Sequence, residues 1–173
     1  RKFLWLIPLV VIVSFNLWNG TAVNQPPLET ACYLCCMLCV GFVEEIIFRG
    51  FLFRAMAKDN LRNAVVVSSV TFGLGHILNL VIGVNDGLVE SLCQVVSAIA
   101  IGFLFVVIFY RGRSLIPCIV AHSAFNMVSA FANEAGFTEQ KHILLCAALF
   151  AIVALYTLVL TKTLPQRSGL TDE

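Results

Sequence analysis

Charge is scarce in this chain. Asp, Glu, Lys and Arg make up 12% of its 173 residues, while 60% are hydrophobic and the mean hydropathy is +0.93. Soluble domains carry roughly one quarter charged residues, so a soluble globular class is excluded and an integral membrane protein is expected. Basic residues are dispersed and the net charge is +1, which gives nucleic acid nothing to bind. No internal repeat is present, and this argues against an inverted-repeat transporter. There is no Gly-x-Ser-x-Gly elbow for a serine nucleophile. Ser123 adjoins His122, but neighbours on a helix point about 100° apart. Finally, no Gly or Pro lies between Cys32 and Cys39. The cluster Cys32, Cys35, Cys36 and Cys39, four of the seven cysteines, therefore stays on one helix face and cannot wrap a zinc ion. These thiols are expected to act as small packing residues.

What the chain has in quantity is long apolar runs. A membrane helix needs roughly 20 mostly apolar residues, and six stretches reach or approach that length. They run from Phe3 to Trp18, Leu28 to Ala57, Asn63 to Ile82, Leu88 to Tyr110, Leu115 to Ala132 and Ile143 to Thr161. The fold expected is all-α, one polytopic transmembrane helix bundle of about six helices. Residues 1–27 form a first segment and loop, 28–161 the membrane-embedded core, and 162–173 a loose tail. A chain that begins with Arg1 and a short first helix is read as lacking an earlier segment. Trp5 and Trp18 suit the membrane interface. Turn signals stand at Pro26-Pro27, at Gly83 to Gly87 and at Arg111 to Ser114.

Lys and Arg alternate with this segment count. Setting Arg49 aside, Arg1, Lys2, Arg54, Lys58, Arg62, Arg111, Arg113, Lys162 and Arg167 fall on one side of a six-helix arrangement, and only Lys141 falls opposite. By the positive-inside rule both termini are expected in the cytoplasm.

Within these runs, the polar residues expected near mid-membrane are few. The second helix carries Glu44, Glu45 and Arg49, the third His76 and Asn79, and the fifth His122 and Asn126. A charge at bilayer depth costs several kcal/mol unless it is paired or faces a polar cavity, so such residues mark function by default. Glu45 and Arg49 are four apart and can pair along one α-helical face, whereas Glu44 points elsewhere and is left for chemistry. His122 and Asn126 are also four apart and project together. Gly73 and Gly75 beside His76 allow close helix approach.

A carboxylate, two imidazoles and an amide permit two mechanisms. In one, Glu44 acts as general base on a water held by His76, and His122 and Asn126 donate to the oxyanion of a peptide carbonyl. In the other, Glu44, His76 and His122 hold a divalent metal such as zinc that activates the water. A polar core in a non-enzymatic scaffold is the alternative from a different class.

Three stretches, in order, match known motifs. Glu44-Glu45-Ile46-Ile47-Phe48-Arg49 resembles an EExxxR motif, Phe72-Gly73-Leu74-Gly75-His76 an FxxxH motif, and His122-Ser123-Ala124-Phe125-Asn126 an HxxxN motif. Together they resemble the CAAX protease and bacteriocin-processing (CPBP, or Abi) family, over about residues 28–131. Arg113 to Pro117 is similar to the segment that leads into the last motif. The resemblance implies an intramembrane endopeptidase similar to the type II, Ras-converting CAAX prenyl enzymes, acting on a lipidated or hydrophobic peptide among membrane lipids. It implies Glu44 as catalytic glutamate, His76 as water-positioning histidine, His122 and Asn126 as oxyanion donors, and Glu45 and Arg49 as supporting residues. The glutamate mechanism, with no cofactor, is favoured over the metal one. Members linked to bacteriocin immunity make an immunity or scaffold protein the other expectation.

Overall fold

The computed structural model describes residues 4–83, 87–133 and 135–164. Among them all regular elements are helices and no strand forms, only an isolated bridge between Thr21 and Ala132. Six apolar helices follow the six stretches legible in the sequence. They are α1 (Ile7–Leu17), α2 (Pro27–Ala57), α3 (Leu61–Val81), α4 (Leu88–Gly112), α5 (Ile116–Phe131) and α6 (Glu139–Thr163). Four of them, α2, α3, α4 and α6, are long and apolar enough to cross a membrane. The ends Arg1 to Phe3, the middle of the Gly83 to Gly87 turn, and residues 165–173 of the tail lie outside the described residues.

Local chemistry sets the helix starts. Pro27 occupies the first turn of α2 and Pro117 that of α5, where a missing N–H costs no hydrogen bond. Asn60 caps α3 by accepting from the Asn63 N–H at 3.0 Å, and Thr138 caps α6 by accepting from the Lys141 N–H at 3.3 Å. After α4 the chain turns through Arg113, a non-glycine residue in the left-handed region at φ 54°.

The helices pack as two compact units. One contains α1, α2 as far as Ile47, and α5; the other contains α2 from Phe48, α3, α4 and α6. The hydropathy pattern, which suggested a single bundle, does not reveal this division. In the first unit, α5 lies against both α1 and α2. Asn16 on α1 donates to the Phe125 carbonyl on α5 at 2.9 Å, and Asn24 donates to the carbonyls of Ala130 and Ala132 at 3.3 and 2.9 Å. The first bond ties α1 to the middle of α5, and the other two tie the loop before α2 to its end.

In the second unit, α4 is the core helix, packed on α3 and on α6. Its contact with α3 is close because small residues face each other. A Cβ on Gly102 would come within 3.0 Å of the Ser69 backbone, and one on Gly73 within 2.7 Å of the Ile99 nitrogen.

Two irregularities bear on chemistry. From Ile46 to Phe53, α2 is a π-helix, with its wider i→i+5 turn. The 3.6-residue rule that stacks Arg49 over Glu45 therefore does not carry through this stretch unmodified. In α3 the α-helix stops at Gly75, turns at His76 and Ile77, and resumes at Leu78.

Candidate active site

The site begins with a backbone contact between α2 and α5. Gly41 faces Ser123, and a Cβ there would sit 2.5 Å from the Ser123 Oγ and 2.7 Å from its nitrogen. Only glycine admits this approach. The Ser123 hydroxyl donates to the Leu38 carbonyl at 3.2 Å, and the Tyr33 hydroxyl meets the Ser129 Oγ at 2.9 Å. Both hydrogen bonds lie on the N-terminal side of Gly41 along α2 and hold that part of the helix against α5. Gly41 lies one α-helical turn before Glu45, and Ser123 follows His122, so fixing the first pair brings the second together.

His122 is buried, and its imidazole is held between two carboxylates. Its Nδ1 lies 2.9 Å from Glu45 Oε1, and its Nε2 lies 3.7 Å from Glu44 Oε2. The first distance is a hydrogen bond and the second is wider than one. Glu45 is fully buried, whereas the Glu44 side chain is 32% exposed. The Oε2 atom of Glu44 is itself buried, and among the described residues it accepts no hydrogen bond. A carboxylate as deep as Glu45 requires compensation for lost hydration, and a charge-assisted bond from His122 supplies part of it. Asn126, one turn after His122, is half-buried; its carbonyl accepts from the Ser129 hydroxyl at 2.6 Å. The Asn126 carboxamide makes no hydrogen bond among the described residues, which leaves it available.

In the second unit, Arg49 is completely buried. Its guanidinium lies over the Phe72 ring at 4.2 Å from the centroid and 5.5 Å from that of Phe105, and Nη2 donates to the Gly102 carbonyl at 3.3 Å. Aromatic faces stabilise a desolvated cation through their quadrupoles. His76 stands at the break in α3. Its Nδ1 is 3.1 Å from the Phe72 carbonyl, and its ring meets Phe72 edge-on at 5.3 Å. A carbonyl can only accept, so Nδ1 carries the hydrogen. In the neutral ring Nε2 is then an acceptor, able to take a hydrogen bond from water.

Of the residues singled out from sequence, the structure brings Glu44, Glu45 and His122 together, with Asn126 on the same helix as His122. Arg49 and His76 belong to the second unit and meet there through Phe72. The sequence reading missed that Glu45 and Glu44 converge on one imidazole, having set them on different faces. It also missed Gly41, although a glycine one turn before a buried carboxylate was the available signal. Gly73 does permit a close helix approach as expected, whereas Gly75 faces open space. The cysteine reading needs correction: Cys32, Cys35, Cys36 and Cys39 are all exposed and do not pack in a core. The reason is that most of α2 is uncovered among the described residues, with only 11% of its apolar window buried.

A metal centre asks for three or more ligating atoms converging at about 2 Å. Among the described residues no group of three His, Cys, Asp or Glu side chains has that arrangement.

Comparison with known proteins gives one match. Residues 26–128 match the model of the type II CAAX prenyl endopeptidase Rce1-like family, and no curated protein and no solved structure matches the chain. The matched span covers more than half of the sequence and contains α2, α3, α4 and α5 as far as Val128, with every motif residue discussed above. Together with four helices able to cross a membrane, it makes this an integral membrane protein, and the chain belongs to the Rce1-like family of type II CAAX prenyl endopeptidases.

Proposed function

We propose that this protein is an intramembrane endopeptidase that hydrolyses a peptide bond in a lipidated, CAAX-type or otherwise hydrophobic peptide, with a glutamate-activated water as nucleophile. The observation that carries the reading is the convergence of Glu44 and Glu45 on the two ring nitrogens of His122. A fully buried carboxylate engaged by histidine, beside a second one that keeps solvent access, divides the work between a support and a base. Glu44 is the base. Its buried Oε2 has no hydrogen bond to give up, so it can accept the proton of an attacking water. His122 and Asn126 donate to the carbonyl oxygen as it becomes an oxyanion; such donors are typically worth about 3–4 kcal/mol each. The motif resemblance supports a water-positioning role for His76, and its Nε2, left as an acceptor by the Phe72 bond, has the chemistry for it. Glu45 and Arg49 support the site.

The deciding experiment compares peptides by mass spectrometry in membranes holding the wild type or Glu44→Gln, supplied with a farnesylated CAAX peptide and a set of hydrophobic leader peptides. A product that appears only with the wild type is expected, and its mass identifies the scissile bond. Cleavage by both proteins would remove Glu44 from the catalytic role. No product from a folded wild type on any of these peptides would favour a non-enzymatic immunity or scaffold protein. Elemental analysis and chelator treatment of the same preparation test metal dependence, with stoichiometric zinc and chelator-sensitive activity overturning the glutamate mechanism.

A further inference from the structure

The bond from His122 to Glu45 sets a proton inventory. If Glu45 is ionised it can only accept, so Nδ1 carries a hydrogen. A neutral imidazole would then have a bare Nε2, with its lone pair turned towards the Glu44 carboxylate 3.7 Å away, and acceptor would face acceptor. This conflict vanishes if Nε2 is protonated. His122 is then an imidazolium with a carboxylate at each end of the ring. If instead the proton between Nδ1 and Oε1 sits on Glu45, the count is unchanged: one proton lies between the two groups and one is on Nε2.

We infer that His122 is the general acid of the reaction, delivering its Nε2 proton to the leaving amine, and that Glu45 is the residue that positions it and holds its charge. This deepens the peptidase reading and rests on it. The cycle closes on these residues alone. Water attacks the peptide carbonyl, its oxygen bonding to carbon as Glu44 takes one of its protons. The tetrahedral oxyanion accepts from His122 Nε2–H and Asn126. As the carbon–nitrogen bond breaks, the nitrogen receives the Nε2 proton, leaving His122 neutral with Nδ1–H bonded to Glu45. Protonated Glu44, adjacent to the now bare Nε2, returns its proton there. One water is consumed, one acid and one amine are released, and both side chains are reset. The Glu44 to His122 approach, which an oxyanion donor alone would not need, is the return path.

An amide and its ester analogue separate this role from simple hydrogen bonding. An amine must be protonated to leave, whereas an alkoxide leaves with far less help. The test compares a farnesylated CAAX peptide with the depsipeptide carrying an ester at the scissile position, using purified full-length wild type, His122→Gln and Glu45→Gln, each checked by thermal melting. His122→Gln keeps an N–H donor but cannot release a proton. Its amide cleavage is expected to fall about 100-fold further than its ester cleavage, in the range general acids supply. Glu45→Gln is expected to lower the amide-to-ester ratio about tenfold, a change that loosened structure alone would not produce. Equal losses on both substrates would make His122 a hydrogen-bond donor only and overturn the inference.

A second readout does not depend on turnover. Nitrogen-15 NMR of protein labelled at its three histidines, with His122 assigned by its loss in His122→Gln, reports the protonation of each ring nitrogen. A protonated His122 Nε2 is expected in the resting protein, and a bare Nε2 would overturn the inference even with activity present. If the wild type cleaves neither substrate the peptidase reading fails separately, and the NMR result still decides the proton inventory.

Discussion

Glu44 and Glu45 are adjacent and chemically identical, yet their surroundings give them different tasks. Glu44 is partly exposed and makes no hydrogen bond among the described residues, so Glu44→Gln is expected to change stability by less than about 0.5 kcal/mol while eliminating cleavage. Parallel melting curves and peptide assays check both halves. Glu45 is fully buried and bonded to His122, and Glu45→Gln is expected to cost about 1–3 kcal/mol, read as a lower unfolding midpoint. Arg49 differs again, because its contacts with Phe72 and Phe105 need a flat, delocalised cation. Arg49→Lys keeps the charge but loses the stacking and the fork of donors, so a loss of about 1–2 kcal/mol is expected in the same assay. The sequence identified all of these residues, because three charges in an apolar run have no cheap explanation. It misjudged how the glutamates are arranged: two side chains about 100° apart on a helix can still reach the two ends of one imidazole, and spacing rules carry no information about the partner helix.

At the scale of elements, glycine does the positioning. Gly41 lets α2 touch the backbone of α5, and Gly73 lets α3 touch α4. Gly41→Ala and Gly73→Ala each force helices apart and are expected to cost about 1–3 kcal/mol. Gly41→Ala should also reduce cleavage, since separating α2 from α5 lengthens the bonds to His122. Gly75→Ala is the contrast. Nothing lies within 4 Å of its Cβ, so it is expected to be neutral or to stabilise by up to about 1 kcal/mol through reduced chain entropy. If all three variants melted alike, close helix approach would not be what these glycines provide. The helices themselves were legible to within a few residues from hydropathy and from the turn signals between them. The π-helical stretch after Glu45 was not, since it has the same apolar composition as the α-helix it replaces and differs only in hydrogen-bond register.

For the whole molecule, the two short helices stand apart from the four long ones. α1 and α5 have 11 and 16 residues, about 17 and 24 Å at 1.5 Å per residue, less than the roughly 30 Å of a hydrocarbon core. Both belong to the first unit, with His122 on one of them. The sequence showed that the first helix is short, whereas the apolar stretch from Leu115 to Ala132 gave no such sign for α5, because flanking apolar residues extend the signal. The distribution of Lys and Arg leads us to propose that both ends of this chain are cytoplasmic. A reporter fused after Glu173 should be active if it works only in the cytoplasm, and a membrane-impermeant amine reagent should reach Lys141 from the opposite side. A C-terminal reporter active only outside the cytoplasm would reverse this assignment.

The exposed cysteines give the protein a built-in depth gauge. Cys32, Cys35, Cys36 and Cys39 lie along the outward face of one helix, and seven residues of α-helix span about 10 Å. Once Cys93, Cys118 and Cys146 are replaced, the relative rates at which these four thiols react with water-borne and lipid-borne reagents form a profile along α2. Its slope would locate the water boundary relative to Glu44, five residues beyond Cys39, without placing a single probe in the site.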